Sequence, residues 1–224
     1  MRIKNSNILL AGITIFLLGM AFVTDAMLRG VYRKMDLDDP QKNLLTIPVL
    51  PFKALQLRGG NTYRIEIVQA PRWALKVLRS RQSFLDSSRS GDTLTIRWTV
   101  ATNSNPSMEQ PPIGLTIECP DLVFLNFSGT QNWVHAFNMN SLCIRQDGNT
   151  RTALEGSTIR GLDLEGSQTS WYDLKGITVQ GTFSLDLKGE AGIRLRNIAW
   201  GRFSPLVAEK ASVVLVGSAI RPCP

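Results

Sequence analysis

The chain has 224 residues, of which 43% are hydrophobic and 19% charged. This composition excludes an intrinsically disordered protein, because disordered chains are poor in apolar groups. One histidine and three cysteines leave little room for a zinc module or a disulfide-dense scaffold. The net charge is +7, but residues 1–100 carry 15 basic and 7 acidic side chains, against 10 and 11 in residues 101–224. The positive charge therefore belongs to the N-terminal half.

The first predicted element is an apolar helix. Residues 8–23 read ILLAGITIFLLGMAFV, and a helix needs about 20 mostly apolar residues to cross a bilayer. Cations flank this run on both sides: Arg2, Lys4, Arg29, Arg33 and Lys34. A cleaved signal peptide is the alternative, but the run is long for one and residues 24–26, Thr-Asp-Ala, make a poor cleavage site. We therefore predict a transmembrane anchor and juxtamembrane helix over residues 1–35.

Residues 36–51 are predicted to form a linker, because residues 36–40 read DLDDP, an acidic turn that ends a helix. Beyond residue 52 the sequence alternates between apolar and polar side chains. Tyr63, Ile65 and Ile67 form one such row. A period of two indicates half-buried strands, so residues 52–224 are predicted to form an all-β domain.

A short unit recurs within this predicted domain, reading apolar, polar, apolar, polar, glycine. Its copies lie at residues 55–59, 125–129, 162–166 and 185–189. Along the chain, Gly129, Gly148, Gly166, Gly189 and Gly217 follow one another at steps of 18 to 28 residues. One coil of this size cannot bury its inward row alone, whereas stacked coils can, and this favours a β-solenoid. A β-sandwich is the alternative, since it also has short strands and frequent turns.

Several segments carry a resemblance to a known family. They are the apolar helix followed by DLDDP, residues 52–61 (FKALQLRGGN), residues 91–94 (GDTL), residues 119–122 (CPDL) and the repeated units. Over these segments the chain resembles the bacterial family named "putative auto-transporter adhesin, head GIN domain". The resemblance implies a right-handed β-solenoid in the periplasm of a Gram-negative bacterium. It also implies no established enzyme activity.

The sequence contains no nucleophile elbow, phosphate loop or metalloprotease motif. The best catalytic argument is that Asp163 and Asp186 hold equivalent places in two Leu-Asp-Leu units and stack on neighbouring coils, with Asp173, Arg194 and Arg196 nearby. Paired carboxylates can bind calcium or act as acid and base. Alternating acids and bases on outward positions are, however, typical of a solvated face. We therefore expect no enzyme, no metal and no cofactor.

Basic residues are dense between residues 72 and 97. They are Arg72, Lys76, Arg79, Arg81, Arg89 and Arg97. With Trp73 and Trp98 close in sequence, such a surface can hold bases or sugars. Because a periplasmic domain meets little nucleic acid, the predicted ligands are anionic lipid head groups or acidic polysaccharide.

Cys119 and Cys143 lie 24 residues apart, about one predicted coil, so an oxidising periplasm could join them. The alternation argues against the pair: Cys119 shares the buried phase of Ile117, whereas Cys143 is out of phase with its neighbours. Cys223 offers a further choice of partner.

The sequence thus predicts a non-enzymatic, single-pass protein of the inner membrane, with an adhesin-like or structural binding domain in the periplasm. Two alternatives stay open. One is a carbohydrate-active solenoid enzyme, which requires a groove of acids and bases. The other is an accessory subunit of an envelope complex, whose helix contacts a protein partner.

Overall fold

The computed structural model describes residues 5–34, 44–60, 63–99, 113–217 and 221–222. The chain divides into two units, one ending at Asn43 and one beginning at Leu44. The acidic turn at residues 36–40 and Cys223 lie outside the described residues.

The first unit contains one helix, α1 (Asn5–Lys34). Its segment Gly12–Gly30 has a mean hydropathy of 1.5, and its side chains are exposed. With a rise of about 1.5 Å per residue, this helix is long enough to cross a membrane. Its length and composition fit either a membrane anchor or a signal sequence.

The second unit is built from two large sheets of nine strands each. In spatial order, the first sheet contains β1 (Leu44–Pro48), β4 (Ala74–Leu78), β7 (Ile113–Cys119), β3 (Arg64–Gln69), β9 (Gln131–His135), β11 (Arg151–Glu155), β13 (Trp171–Lys175), β15 (Gly192–Arg196) and β17 (Ser212–Val216). The second sheet contains β18 (Arg221–Pro222), β16 (Ala199–Val207), β14 (Thr178–Leu187), β12 (Thr158–Gly166), β10 (Asn138–Asp147), β8 (Phe124–Ser128), β2 (Ala54–Arg58), β6 (Thr93–Trp98) and β5 (Leu85–Ser90). The predicted all-β domain is confirmed.

From β8 onward, successive strands alternate between the two sheets, and from β10 onward each strand pairs in parallel with the previous strand of its own sheet. In the first sheet Gln131 lies opposite Arg151, then come Trp171, Gly192 and Ser212. These steps of 20, 20, 21 and 20 residues define one coil of the stack. Among the described pairings, antiparallel ones occur only at the N-terminal end, so the β-sandwich alternative is not supported.

The chain does not build its coils strictly in sequence order. After β2 and β3 it doubles back, and β6 and β7 pair on the far side of those two strands. Strands β1, β4 and β5 then close this end with antiparallel pairs, joined by a 3-10 helix at Arg79–Phe84. Part of the predicted linker is therefore structured: Leu44–Pro48 is the edge strand β1, where Leu45 and Ile47 pack against the core. A proline is tolerated there because an edge strand leaves one row of N–H groups unpaired.

The core is a set of inward rows that run from coil to coil. One row consists of Leu174 and Leu195, which are fully buried, followed by Leu215 at the end of the first sheet. Stacking in this way removes each coil's apolar side from water, which is the main stabilising contribution. The predicted inward rows, such as Ile65 with Ile67, are confirmed as buried.

A polar group of side chains lies inside the middle coils. The Asn132 amide Nδ2 donates to Thr130 Oγ1 at 2.8 Å and to Thr152 Oγ1 at 3.2 Å. The hydroxyl of Thr152 donates to Gln146 Oε1 at 2.7 Å, which links the two sheets. The buried Tyr172 hydroxyl crosses the core to the carbonyl oxygens of the second sheet, at 2.7 Å from that of Glu165. These hydrogen bonds connect neighbouring coils and the two sheets, while Asn132 Oδ1 and Gln146 Nε2 are buried without a hydrogen-bond partner in the structure.

Two kinds of corner turn the chain in every coil. One corner has a positive φ at Ala136, Gly156, Gly176, Asn197 and Gly217, at steps of 20 or 21 residues. The other has a positive φ at Gly129, Gly148, Gln168 and Gly189. The predicted glycine repeat is therefore right for Gly129, Gly148, Gly189 and Gly217, although Gly217 lies at the first kind of corner, and wrong for Gly166. That glycine is a buried strand residue that leaves room for Tyr172 and Ser170.

Candidate binding face

The predicted basic residues do not form one row. Lys76 of β4 and Arg72 both bind Glu118 of β7, at 2.6 Å and 3.1 Å. Burial alone would raise the pKa of Glu118, but the hydrogen bonds from Lys76 and Arg72 outweigh it, and the pKa lies below its ordinary value of 4.5. These two cations therefore share one carboxylate within the first sheet.

The other four cations occupy different elements. Arg79 and Arg81 belong to the 3-10 helix, where Arg81 lies 5.0 Å from the centre of the Tyr63 ring. Arg89 of β5 donates to the carbonyl oxygen of Gly91 at 2.8 Å, and Arg97 is exposed on β6 of the second sheet. The basic stretch of sequence is thus divided between the two sheets and the helix between them. Its role in binding an anionic surface stays a prediction.

The two aspartates of the catalytic argument are not equivalent in the structure. Asp163 lies opposite Ser184, and Asp186 lies opposite Glu165. The Leu-Asp-Leu units are offset by two residues, a shift that keeps the same side chains inward. Asp173 belongs to the other sheet, where Arg196 holds both carboxylate oxygens at 2.8 and 2.9 Å. The five residues of the predicted constellation therefore lie on two different sheets.

The acids of the second sheet are held by neighbouring cations. Arg145 pairs with Glu165 at 2.9 Å and Lys188 with Asp186 at 2.8 Å. Cys143, Asp163 and Glu165 offer possible metal-ligand atoms within 4.8 Å of one another. Burial, and then the charge of Glu165, raise the pKa of the Asp163 carboxyl above its ordinary value. The cluster of Cys143, Asp163 and Glu165 is therefore partly exposed, and its member Glu165 already pairs with Arg145.

Cys119 and Cys143 are both free thiols in the structure. Cys119 is buried in β7 of the first sheet, and Cys143 lies on the outward side of β10 in the second. Burial raises the pKa of the Cys119 thiol to about 12. The two strands lie in different sheets, so the geometry does not support the predicted disulfide.

The outward side of the first sheet differs from that of the second. We call the outward positions of β9, β11, β13 and β15 the first-sheet face. It carries four cations, Arg151, Lys175, Arg194 and Arg196, against the acids Glu155 and Asp173. On β10, β12 and β14, and at Lys188 directly after β14, three cations (Arg145, Arg160 and Lys188) accompany four acids (Asp147, Asp163, Glu165 and Asp186). The first-sheet face is therefore the more basic of the two faces of these coils.

Two tryptophans lie on the first-sheet face. The guanidinium of Arg64 covers Trp133 at 4.8 Å from the ring centre. Trp171 instead lies over Gly192 of the next coil, and the Arg194 guanidinium is 5.9 Å from its ring centre. Sequence reasoning did not select this group, because Arg151, Trp171 and Gly192 are 20 and 21 residues apart and only the register brings them together.

The chain was compared with known proteins to find others with the same fold. No family profile matches the sequence, and no curated protein matches it either. Among solved structures, a "putative adhesin" from Parabacteroides distasonis is 12% identical, with a TM-score of 0.59 over 76% of this chain and 71% of its own length. A "putative adhesin" from Parabacteroides merdae is 13% identical, with a TM-score of 0.45 over 78% of this chain and 95% of its own. One from Bacteroides fragilis is 14% identical, with a TM-score of 0.43 over 79% of this chain and 99% of its own.

At this identity the likeness concerns the fold alone. The two-sheet unit of this chain has the fold of the Parabacteroides distasonis "putative adhesin".

Proposed function

We propose that this chain is a non-enzymatic binding module of the bacterial envelope, adhesin-like in character, held at the inner membrane by α1 with its sheets in the periplasm. The observation that carries the proposal is the stack of coils, whose inward rows are buried and whose outward rows form two long faces that differ in their charged side chains. Extended repeat surfaces of this kind are suited to recognising partners or polymers. The adhesin names of proteins with this kind of fold support the same role.

The proposed architecture is a right-handed β-solenoid. From β9 to β17, the chain leaves each strand of the first sheet through a strand of the second and returns to pair in parallel with the strand it left. Connections between parallel strands of one sheet are right-handed in about 98% of cases, which supports this hand.

The pairing of the acids supports a non-enzymatic role. Glu165 and Asp186, which lie opposite each other, are each bound by a cation. A glycoside-cleaving pair requires one carboxyl group as acid and the other as base or nucleophile. Here each carboxylate is instead bound by a neighbouring cation of the same sheet.

The proposal is tested by fractionating cells that express the full chain. We expect the protein to stay in the membrane pellet after an alkaline carbonate wash, with an intact mass that includes α1. A mature protein that lacks α1 and is released by the wash would contradict the anchor. Protease added to spheroplasts should degrade the sheets, and full protection in intact spheroplasts would contradict the periplasmic placement.

A further inference from the structure

We propose that the first-sheet face binds an acidic polysaccharide, with a sugar ring stacked on Trp171 and the polymer's carboxylates paired with Arg151, Lys175 and Arg194. This inference rests on the proposed binding function and names its ligand class. It concerns different residues from the basic stretch at residues 72–97.

The stacking surface is the indole of Trp171. A Cβ atom placed on Gly192 would come within 2.2 Å of the indole Cζ3, so the ring lies directly over the backbone of the next coil. The side chain is half-buried, which leaves part of the ring in contact with solvent. The face of an aromatic ring is electron-rich and attracts the weakly positive C–H groups of a sugar. A glycine at position 192 is therefore what allows this ring to serve as a platform.

Three cations lie on the same face as this platform. Arg151 lies opposite Trp171 in the preceding coil, and Lys175 lies on the same strand; both are exposed and have no ion pair among the described residues. Arg194 lies in the following coil, has a side chain 44% exposed, and is 3.9 Å from Asp173. Of the two acids on this face, Asp173 is held by Arg196 at 2.8 Å, and Glu155 lies opposite Lys175 in the preceding coil. An approaching carboxylate therefore meets positive charge that the protein itself does not neutralise.

The arrangement favours a linear polymer over a lipid surface. Neighbouring strands are about 4.8 Å apart, so the strands carrying Arg151 and Arg194 are about 10 Å apart along the stack, with Trp171 between them. A chain of sugars running along the stack can contact both arginines and the ring at once. A membrane surface would engage the cations and would gain little from an indole lying flat against the sheet.

The test measures binding of short oligogalacturonates to the full chain in detergent by calorimetry. We expect Trp171→Ala to weaken binding by about tenfold or more, as for removal of an aromatic ring stacked on a nucleic-acid base. Trp171→Phe should retain part of the affinity. Gly192→Val should weaken binding as strongly as Trp171→Ala, because the new side chain takes the position of the ring. Methyl-esterified oligogalacturonate keeps the sugar rings without the charge and should bind at least tenfold more weakly.

The controls lie on the other face of the same coils. Arg151→Ala and Lys175→Ala should each weaken binding several-fold, whereas Arg145→Ala and Lys188→Ala remove the same charges from the second sheet and should not. Circular dichroism verifies that each variant is folded. Equal loss in both sets, unchanged binding by Trp171→Ala, or binding only to anionic vesicles would overturn the polysaccharide assignment. The fractionation experiment tests membrane anchoring and does not depend on these outcomes. A negative result in the binding experiments would therefore overturn the polysaccharide ligand without overturning the proposed anchored envelope module.

Discussion

At the scale of single residues, Glu118 is the clearest electrostatic element of the fold. Its carboxylate lies between Lys76 and Arg72 and connects β4 to β7 near the N-terminal end of the stack. A mostly buried carboxylate stays charged there because both cations hydrogen-bond to it. Removing one partner of such a group is costly, because a desolvated charge is left behind.

The lowered pKa of Glu118 makes stability depend on pH. Because the folded pKa lies below the ordinary value of 4.5, the group stabilises the fold above that pH, and the contribution is lost as pH falls through the folded pKa. We expect Glu118→Gln to be less stable than the native protein at neutral pH and to lose less stability on acidification. Urea unfolding from neutral pH to below 4.5 measures this, and Glu190→Gln on an exposed turn is the control. Parallel pH profiles for native protein and Glu118→Gln would contradict the account.

At the scale of elements, the long strands of the second sheet bend where small residues stack. Gly161, Gly181 and Gly201 follow one another at steps of 20 residues within β12, β14 and β16. A Cβ on Gly181 would come within 2.7 Å of the Arg160 carbonyl oxygen, whereas one on Gly161 would be 3.8 Å from that of Asn140. Neither glycine has a positive φ. The two sites therefore differ in the room available for a Cβ atom and do not differ in backbone strain.

This difference predicts unequal effects of the same substitution. Gly181→Ala should destabilise the protein by about 1–3 kcal/mol, because the backbone of the preceding coil has to move. Gly161→Ala should be neutral or slightly stabilising, since alanine lowers the entropy of the unfolded chain. Denaturant unfolding of both variants measures the difference. Equal free energies of unfolding would contradict the close packing of these coils.

The same elements explain what the sequence could and could not predict. Alternation predicted the strands and their buried rows, because burial of every second side chain is directly visible in the residue pattern. The register was mispredicted at residues 162–166, because a shift of two residues leaves the same leucines inward. What fixes the register is the corner at Gln168 and the space that Gly166 leaves for Tyr172, and neither follows a repeated motif. The binding face was missed for the same reason, since it depends on the register.

At the scale of the whole molecule, the two ends of the described stack differ. The N-terminal end is closed by antiparallel strands, and β5 there presents mostly polar side chains. At the other end, β17 is the last strand of the first sheet, and Leu215 is 49% exposed. Local patterns could not predict the closed end, because the doubling back of β6 and β7 changes strand order without changing alternation.

The position of a leucine within the stack should decide how much stability is lost when it is replaced by alanine. Leu195 and Leu215 are neighbours in one inward row, but Leu195 is fully buried. We expect Leu195→Ala to destabilise the protein by about 2–5 kcal/mol. Leu215→Ala should cost under about 1 kcal/mol, because its side chain is half in water. Thermal and urea unfolding compare the two, and equal costs would show that another surface covers β17.

The proposed function requires that α1 anchors the chain in the membrane and that the two-sheet module lies on the periplasmic side. Alkaline phosphatase fused after residue 50, in a Gram-negative host, tests it most directly, because the enzyme is active only after export. We expect an active fusion that sediments with the inner membrane. An inactive fusion would place the module in the cytoplasm and contradict the envelope function.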